Sequence, residues 1–371
     1  MHCLALSTFV GLLAWTPALS AHILRADMPT SKSLESHPLP SRLLHSMPPY
    51  TWAENLAVRP NGNILVSTST MNGTVWQVSR PWEDDPKTEL VYNFDEWVDR
   101  LIGIGESTPD KYIVVGSRFY AHTELSSHVG RTFCAMELDF TCNRTVPKAR
   151  VVAWMPDSNL LQGVAALPWD RSVVLISDQY VLRPREKQVD WTPSPGQIWR
   201  LDTITGKYEL ILTGYEEMNT VYYHGNKPAH DVGINGIRIL DDTLFWVNSD
   251  NGGIYSMKLD RSGRAVLPAV PKTVTKTDWL WDDFAFGPGE EDLIWATGNN
   301  SIVAVSRSNG TDVIVSGFGT SDNETFWSPT SAQFGRTKKD SHVLYVTGNY
   351  PNASSPLRGW VKALDTTGFH M

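Results

Sequence analysis

One phrase recurs six times along this chain and limits what it can fold into. It is a polar residue, apolar residues two and four positions on, a turn, then a strand ending in small residues. The copies read ENLAVRPNGNILVSTS from Glu54, RLIGIGESTPDKYIVVGS from Arg100 and QGVAALPWDRSVVLISD from Gln162. They continue as NGIRILDDTLFWVNSD from Asn235, DDFAFGPGEEDLIWATG from Asp282 and TSAQFGRTKKDSHVLYVTG from Thr330. The second half of each copy is an apolar run rich in Val, Ile, Leu, Tyr and Trp, which is the signature of a buried strand. Between the halves stand PNG, PDK, DD and PGEED, residues that favour tight turns.

Gly-led third strands follow most copies (GTVWQV, GQIWRL, GGIYSM, GWVKAL), and several copies add a fourth, such as YELIL or DVIVS. Six copies of three or four strands predict an all-β fold, a six-bladed β-propeller. A β-sandwich is the alternative, but it does not repeat one phrase six times. The spacings are 46, 62, 73, 47 and 48 residues, so insertions follow the second and third blades. The propeller is expected over 51–371 as one domain. An arm over 21–50 would run along the surface and could add the closing strand.

The first twenty residues read as an address. CLALSTFVGLLAW is almost wholly apolar, and Ala18-Leu19-Ser20 offers small residues for cleavage. The expectation is a signal peptide over 1–20, entry into the secretory pathway and an extracellular protein. A membrane anchor is the alternative, but the run is short for a bilayer span and no later run is long enough. Six N-x-S/T sequons agree with that route: Asn72, Asn143, Asn299, Asn309, Asn323 and Asn352. Of three Cys, Cys3 lies in the leader. An oxidising compartment would pair Cys134 with Cys142 as a disulfide bond, the alternative being two unpaired thiols. Net charge is −8, from 32 basic and 40 acidic residues, with no basic patch, so nucleic acid is not an expected partner.

Equivalent positions in six copies occupy equivalent surfaces, because side chains alternate across a strand. The polar position starts the innermost strand, where blades meet the axis. It holds Glu54, Arg100, Gln162, Asn235, Asp282 and Thr330, a ring of hydrogen-bonding groups at one mouth of the channel. The plainer reading is that strand starts are exposed and polar in any sheet.

The phrases ENLAVRPNG, INGIRI and DDFAF resemble the senescence-marker-protein/gluconolactonase family of six-bladed propellers. That resemblance implies a divalent cation, calcium or zinc, held by Glu54, Asn235 and Asp282, with Gln162 near a further amide position. The register selects Asp282 over Asp283 by keeping Phe284 and Phe286 in phase. Arg100 departs from the pattern: a guanidinium competes with a cation for the same carboxylates and would give an ion-pair network with no cofactor. The leader, the sixfold phrase and the Trp-rich loops also resemble fungal secreted hetero-Diels-Alderases of tropolonic sesquiterpene biosynthesis. This narrower resemblance implies formation of a quinone methide from a hydroxymethyl tropolone and its addition to a humulene-type alkene. It carries over no catalytic residue.

A cycloaddition needs no nucleophile. It needs a dry, shaped pocket that holds two apolar partners and donors that polarise an oxygen-bearing diene. Arg100, Glu54, Asp282, Gln162 and Asn235 are the expected catalytic groups. Trp52, Trp279, Trp281, Tyr223, His230, Trp327 and Thr330 are the expected substrate contacts for hydrophobic small molecules, with Trp97, Trp191, Tyr222 and His224 nearby in sequence. Trp residues also pack between blades, and a loop His is often merely at the surface. GxSxG, HExxH, GxGxxG and P-loop motifs are lacking, so nicotinamide, flavin and ATP chemistry has no support. Two other classes stay open: a calcium-dependent lactone hydrolase, and a non-catalytic binding protein for a hydrophobic small molecule.

Overall fold

The computed structural model describes residues 38–69, 73–118, 133–142, 145–179, 195–221, 232–288, 292–321, 325–350 and 357–371. The leader, most of the arm, Trp191, Tyr222, Tyr223, His224, His230 and the sequons at Asn72, Asn143, Asn323 and Asn352 lie outside the described residues. The described chain is all strand and turn, in six four-stranded antiparallel sheets that form a six-bladed β-propeller.

Blade six joins both ends of the chain: β1 (Ser41–Ser46) is its outermost strand, beside β24 (Gly359–Asp365), β23 (Val343–Asn349) and β22 (Pro329–Phe334). Blade one runs β2 (Ala53–Val58), β3 (Ile64–Thr68), β4 (Thr74–Ser79) and β5 (Lys87–Asn93). Blade two runs β6 (Arg100–Glu106), β7 (Lys111–Ser117), β8 (Phe133–Asp139) and β9 (Lys148–Trp154). Blade three is β10 (Leu160–Leu167), β11 (Asp170–Gln179), β12 (Gln197–Asp202) and β13 (Tyr208–Thr213). Blade four is β14 (Ile234–Leu240), β15 (Thr243–Asn248), β16 (Gly253–Lys258) and β17 (Lys272–Lys276). Blade five is β18 (Trp281–Phe286), β19 (Leu293–Gly298), β20 (Ser301–Ser306) and β21 (Asp312–Gly317). The propeller thus begins at β1, ahead of residue 51, because Ser41 pairs with Leu364 and Ser46 with Trp360.

The second strand of each blade is buried on both faces, which is why it reads as an unbroken apolar run rather than an alternating one. The apolar core lies in six seams, one between each pair of adjacent blades. Phe94, Val98, Tyr112 and Met136 fill the seam between blades one and two, and Leu175, Ile198, Ile237 and Trp246 that between three and four. The last seam, between blades six and one, holds Leu44 and Met47 beside Tyr345, Val361 and Val66. Polar groups finish this closure: the Thr330 hydroxyl donates to the Ala53 carbonyl at 2.9 Å, and the Asn349 amide both donates to Ala53 O and accepts from Ala53 N.

At the inner strands' far ends, charged pairs tie blades together. Arg336, just after β22, donates to Val58 O at 3.0 Å and to Glu106 at 2.8 Å, and Arg171 pairs with the same Glu106 at 3.2 Å. Glu106 therefore binds groups from blades six and three while Arg336 also holds blade one.

The expected Cys134–Cys142 disulfide does not form; both thiols are free. Cys134 lies near the start of β8 and Cys142 three residues past its end. An extended strand rises about 3.3 Å per residue, whereas a disulfide needs Cα atoms within about 7 Å. The strand that separates the two cysteines is what keeps them apart. Burial pushes the Cys134 thiol up to about 12, while Cys142 is exposed.

Two outcomes follow from this architecture. Leu44→Ala should cost about 2–4 kcal/mol in denaturant unfolding, while Leu43→Ala, on the exposed face of the same strand, should cost under about 0.5 kcal/mol. In the native protein, iodoacetamide should alkylate Cys142 and leave Cys134 untouched until the chain is unfolded, as read by peptide mass spectrometry.

Candidate functional site

Each inner strand carries an irregularity in its pairing near the axial mouth. The register shifts fall between Ala53 and Asn55, Leu101 and Ile104, Leu161 and Val164, Ile234 and Ile237, Trp281 and Phe284, and Pro329 and Ser331. A bulge takes a residue out of the ladder and re-aims its side chain. The residues so released are Glu54, Ile102, Gln162, Asn235, Asp282 and Thr330.

This corrects the expected ring at blade two. Arg100 pairs with Ser117 in the regular ladder, two residues before the bulge, and the equivalent of Gln162 and Asn235 is Ile102. The Ser67 hydroxyl donates to Ile102 O just as the Ser177 hydroxyl donates to Asn235 O, which confirms the equivalence. The glycine after the ring position was the legible signal, in LIGI, LQGV and INGI. At Gly103 an added Cβ would lie 1.6 Å from the Gln162 carbonyl oxygen, so only glycine lets the two inner strands approach there. Ile102 is fully buried in the seam between blades two and three.

Four predicted groups converge. Gln162 Nε2 donates to Glu54 Oε1 at 3.3 Å, and Trp52 Nε1 donates to Glu54 Oε2. Asn235 Nδ2 donates to Asp282 Oδ1 at 2.8 Å and to Ser249 Oγ at 3.2 Å. Arg100 Nε donates to Ser69 Oγ, and its charge acts on Glu54. Burial raises the Glu54 carboxyl above its ordinary value, opposed by Arg100, Gln162 and Trp52. Asp282 is raised well above its ordinary value by burial, then by Glu54 and Asp283, with Asn235 opposing. The two carboxyls sit in unlike surroundings: burial favours the protonated form of both, but a positive charge stands beside Glu54 and negative ones beside Asp282.

Beneath this layer is a second one that the sequence reading passed over. Asp283 is 1% exposed and accepts from Arg238 at 2.7 Å and from the Ser331 hydroxyl. Ser331 also lies 3.0 Å from Asn55 Oδ1. The network joins blades four, five, six and one across the axis, and Arg238 also reaches Ala332 O at 3.5 Å. Together with the Glu106–Arg336 pair it lies beneath Glu54 and Asp282, which are half-buried and form, with Gln162 and Asn235, the cup at the mouth.

Other expected contacts fall differently. Trp281 is fully buried in the seam between blades four and five, with its indole N–H on Gly252 O, so it is core and not substrate surface. Trp279 is half-buried and stacks on it at 6.1 Å. Thr330 is buried, with its hydroxyl committed to closing the propeller, and faces no substrate. Trp97 packs on Phe94 and Tyr92 in the first seam. Trp52 and Trp327 are half-buried, each shortly before a ring residue. Of the described sequons, Asn309 is exposed on the turn between β20 and β21, and Asn299 is half-buried with φ 46°.

No family model matches the chain. Two curated relatives do. A protein of a Phoma species named as a hetero-Diels-Alderase is 62% identical over 312 residues, 84% of this chain and 87% of its own length. A second so named, from Sarocladium schorii, is 58% identical over 353 residues, 92% of this chain and 87% of its own length. The chain belongs to the hetero-Diels-Alderase family. Solved propellers share its fold at low identity. A luciferin-regenerating enzyme matches at TM-score 0.56 and 13% identity, over 86% of this chain and 93% of its own. A regucalcin from Agrobacterium tumefaciens, described as a calcium-binding protein, matches at 0.53 and 14%, over 89% and 96%.

The ring fits a calcium ion poorly. Calcium takes six to eight oxygens. Of the three groups expected to hold it, Glu54 already has the Arg100 charge beside it, and Asn235 donates its amide N–H to Asp282. Both carboxylates accept N–H donors from Trp52, Gln162 and Asn235.

The second layer is testable by stability. Asp283→Ala strands the Arg238 guanidinium and should cost about 3–5 kcal/mol in urea unfolding. Thr297→Ser, which keeps the hydroxyl that meets Asp283 N and O, should cost about 1 kcal/mol or less.

Proposed function

We propose that the cup converts a hydroxymethyl tropolone to its quinone methide and holds that heterodiene against a humulene-type sesquiterpene alkene for an intermolecular hetero-Diels-Alder addition. The observation that carries this reading is the pair of unlike carboxyls, fixed by N–H donors, in a cup closed beneath and edged by half-buried Trp52. The likeness to proteins named as hetero-Diels-Alderases supports it.

Dehydration needs one proton given and one taken. Asp282 gives a proton to the departing hydroxyl, which leaves as water. Glu54 takes the proton of the tropolone hydroxyl. The ring then carries an exocyclic methylene conjugated to a carbonyl, with atoms and charge in balance. The addition forms one C–C and one C–O bond and moves no proton, so what remains for the protein is orientation and exclusion of water. Gln162 and Asn235 keep the two carboxyls in place. Trp52 offers a flat apolar face beside Glu54, suited to a conjugated ring. The reaction so written needs no cofactor. The leader supports entry into the secretory route.

The test is to incubate purified protein with a hydroxymethyl tropolone and a humulene-type alkene and follow the adduct by liquid chromatography and mass spectrometry. Adduct should form well above the rate in buffer, and Glu54→Gln and Asp282→Asn should each lower that rate about 100-fold or more. Adduct appearing no faster than in buffer would sink the reading. Chelator-sensitive hydrolysis of a lactone would put the calcium-dependent hydrolase in its place.

A further inference from the structure

The misfit at blade two has a chemical sense. The ring position on blade two is the apolar Ile102, and two residues earlier on the same strand stands Arg100. Arg100 is half-buried at the mouth end of β6, and Ser69 holds its Nε, which fixes the plane of the guanidinium. Its charge acts on Glu54 across the cup. A positive group here is planar and fork-shaped, unlike a spherical ion that must be surrounded by oxygens.

We infer that Arg100 is the group that recognises the substrate's tropolone edge, its guanidinium donating to the vicinal carbonyl and hydroxyl oxygens while Glu54 accepts the hydroxyl proton, so that binding needs no divalent cation. This rests on the proposed reaction for the identity of the ligand. The fit is one of shape. The two oxygens of a tropolone lie side by side in one plane, spaced much as in a carboxylate, and an Arg fork meets such a pair with two parallel N–H bonds. An ammonium is a point charge and cannot copy that geometry. The same contact withdraws electron density from the ring carbonyl, which becomes the oxygen end of the heterodiene.

The experiment uses tropolone itself, which lacks the hydroxymethyl group and cannot react, with binding read from the change in its near-ultraviolet band. The wild-type protein should bind it saturably, with equal affinity in chelator and in added calcium. Arg100→Lys should weaken binding at least tenfold and Arg100→Gln further. The methyl ether of tropolone, which has no hydroxyl for Glu54, should bind at least tenfold more weakly than tropolone. Ser69→Ala should give a smaller loss by freeing the guanidinium plane, and it serves as the second variant if Arg100 substitutions unfold the protein. The proposal is overturned if wild-type protein fails to bind tropolone, if Arg100→Lys binds as tightly as wild type, or if binding appears only with added calcium. Tropolone bound through Arg100 without any adduct formation would defeat the cycloaddition reading and leave this one standing.

Discussion

Everything at the axis depends on closing six apolar seams into a ring. A sheet that is buried on both faces has no stability alone, and each blade here gives one face to each neighbour. The closure between blades six and one is the seam that chain connectivity does not supply. It is made by β1, which brings Leu44 and the following Met47 into the last core, and by Thr330 and Asn349, which satisfy both backbone groups of Ala53. Since Ala53 precedes Glu54, the contact that shuts the propeller also fixes the first carboxyl of the cup.

The inner strands trade pairing for chemistry. A regular ladder at the mouth would pair every backbone group and leave no side chain re-aimed into the axis. The bulges release one position per blade, and the next residue then faces the neighbouring strand at short range. Glycine meets that demand at Gly103, Gly163 and Gly236, and the polar residues Asn55, Asp283 and Ser331 meet it on the other side of the axis. The Arg238–Asp283 pair sits where three acidic groups would otherwise gather, with Glu54, Asp282 and Asp283 all near the axis. A guanidinium at that depth offsets one of those charges and leaves the other two to differ in proton affinity.

The sequence made the fold legible because the repeat is a consequence of the seams: each blade must present the same apolar second strand and the same turn. Glu54, Gln162, Asn235 and Asp282 were legible for the same reason. Blade two was misaligned because polarity was used to set the register, and Arg100 is polar at a place where the true equivalent, Ile102, is not. The glycine after the ring position would have corrected it. Trp281 and Thr330 were misplaced because one strand residue looks much like another until its seam partners are known. Arg238 and Ser331 were invisible, being single polar residues whose meaning lies in partners 45 and 48 positions from Arg238 and Ser331 respectively, both at Asp283. The cysteine spacing misled because eight residues can be a loop or a strand, and only the strand reading separates the thiols.

The exchange at blade two also explains how one propeller frame can serve different chemistry. A spherical cation at the axis would have to share Glu54 with the charge of Arg100. The guanidinium itself is held at Ser69, with its charge acting on Glu54. It also stands higher on its strand, so the positive charge moves from the centre of the ring toward the mouth. Under the proposed reaction, a flat ring held at its edge stays open on its face, as an addition that joins two partners face to face requires.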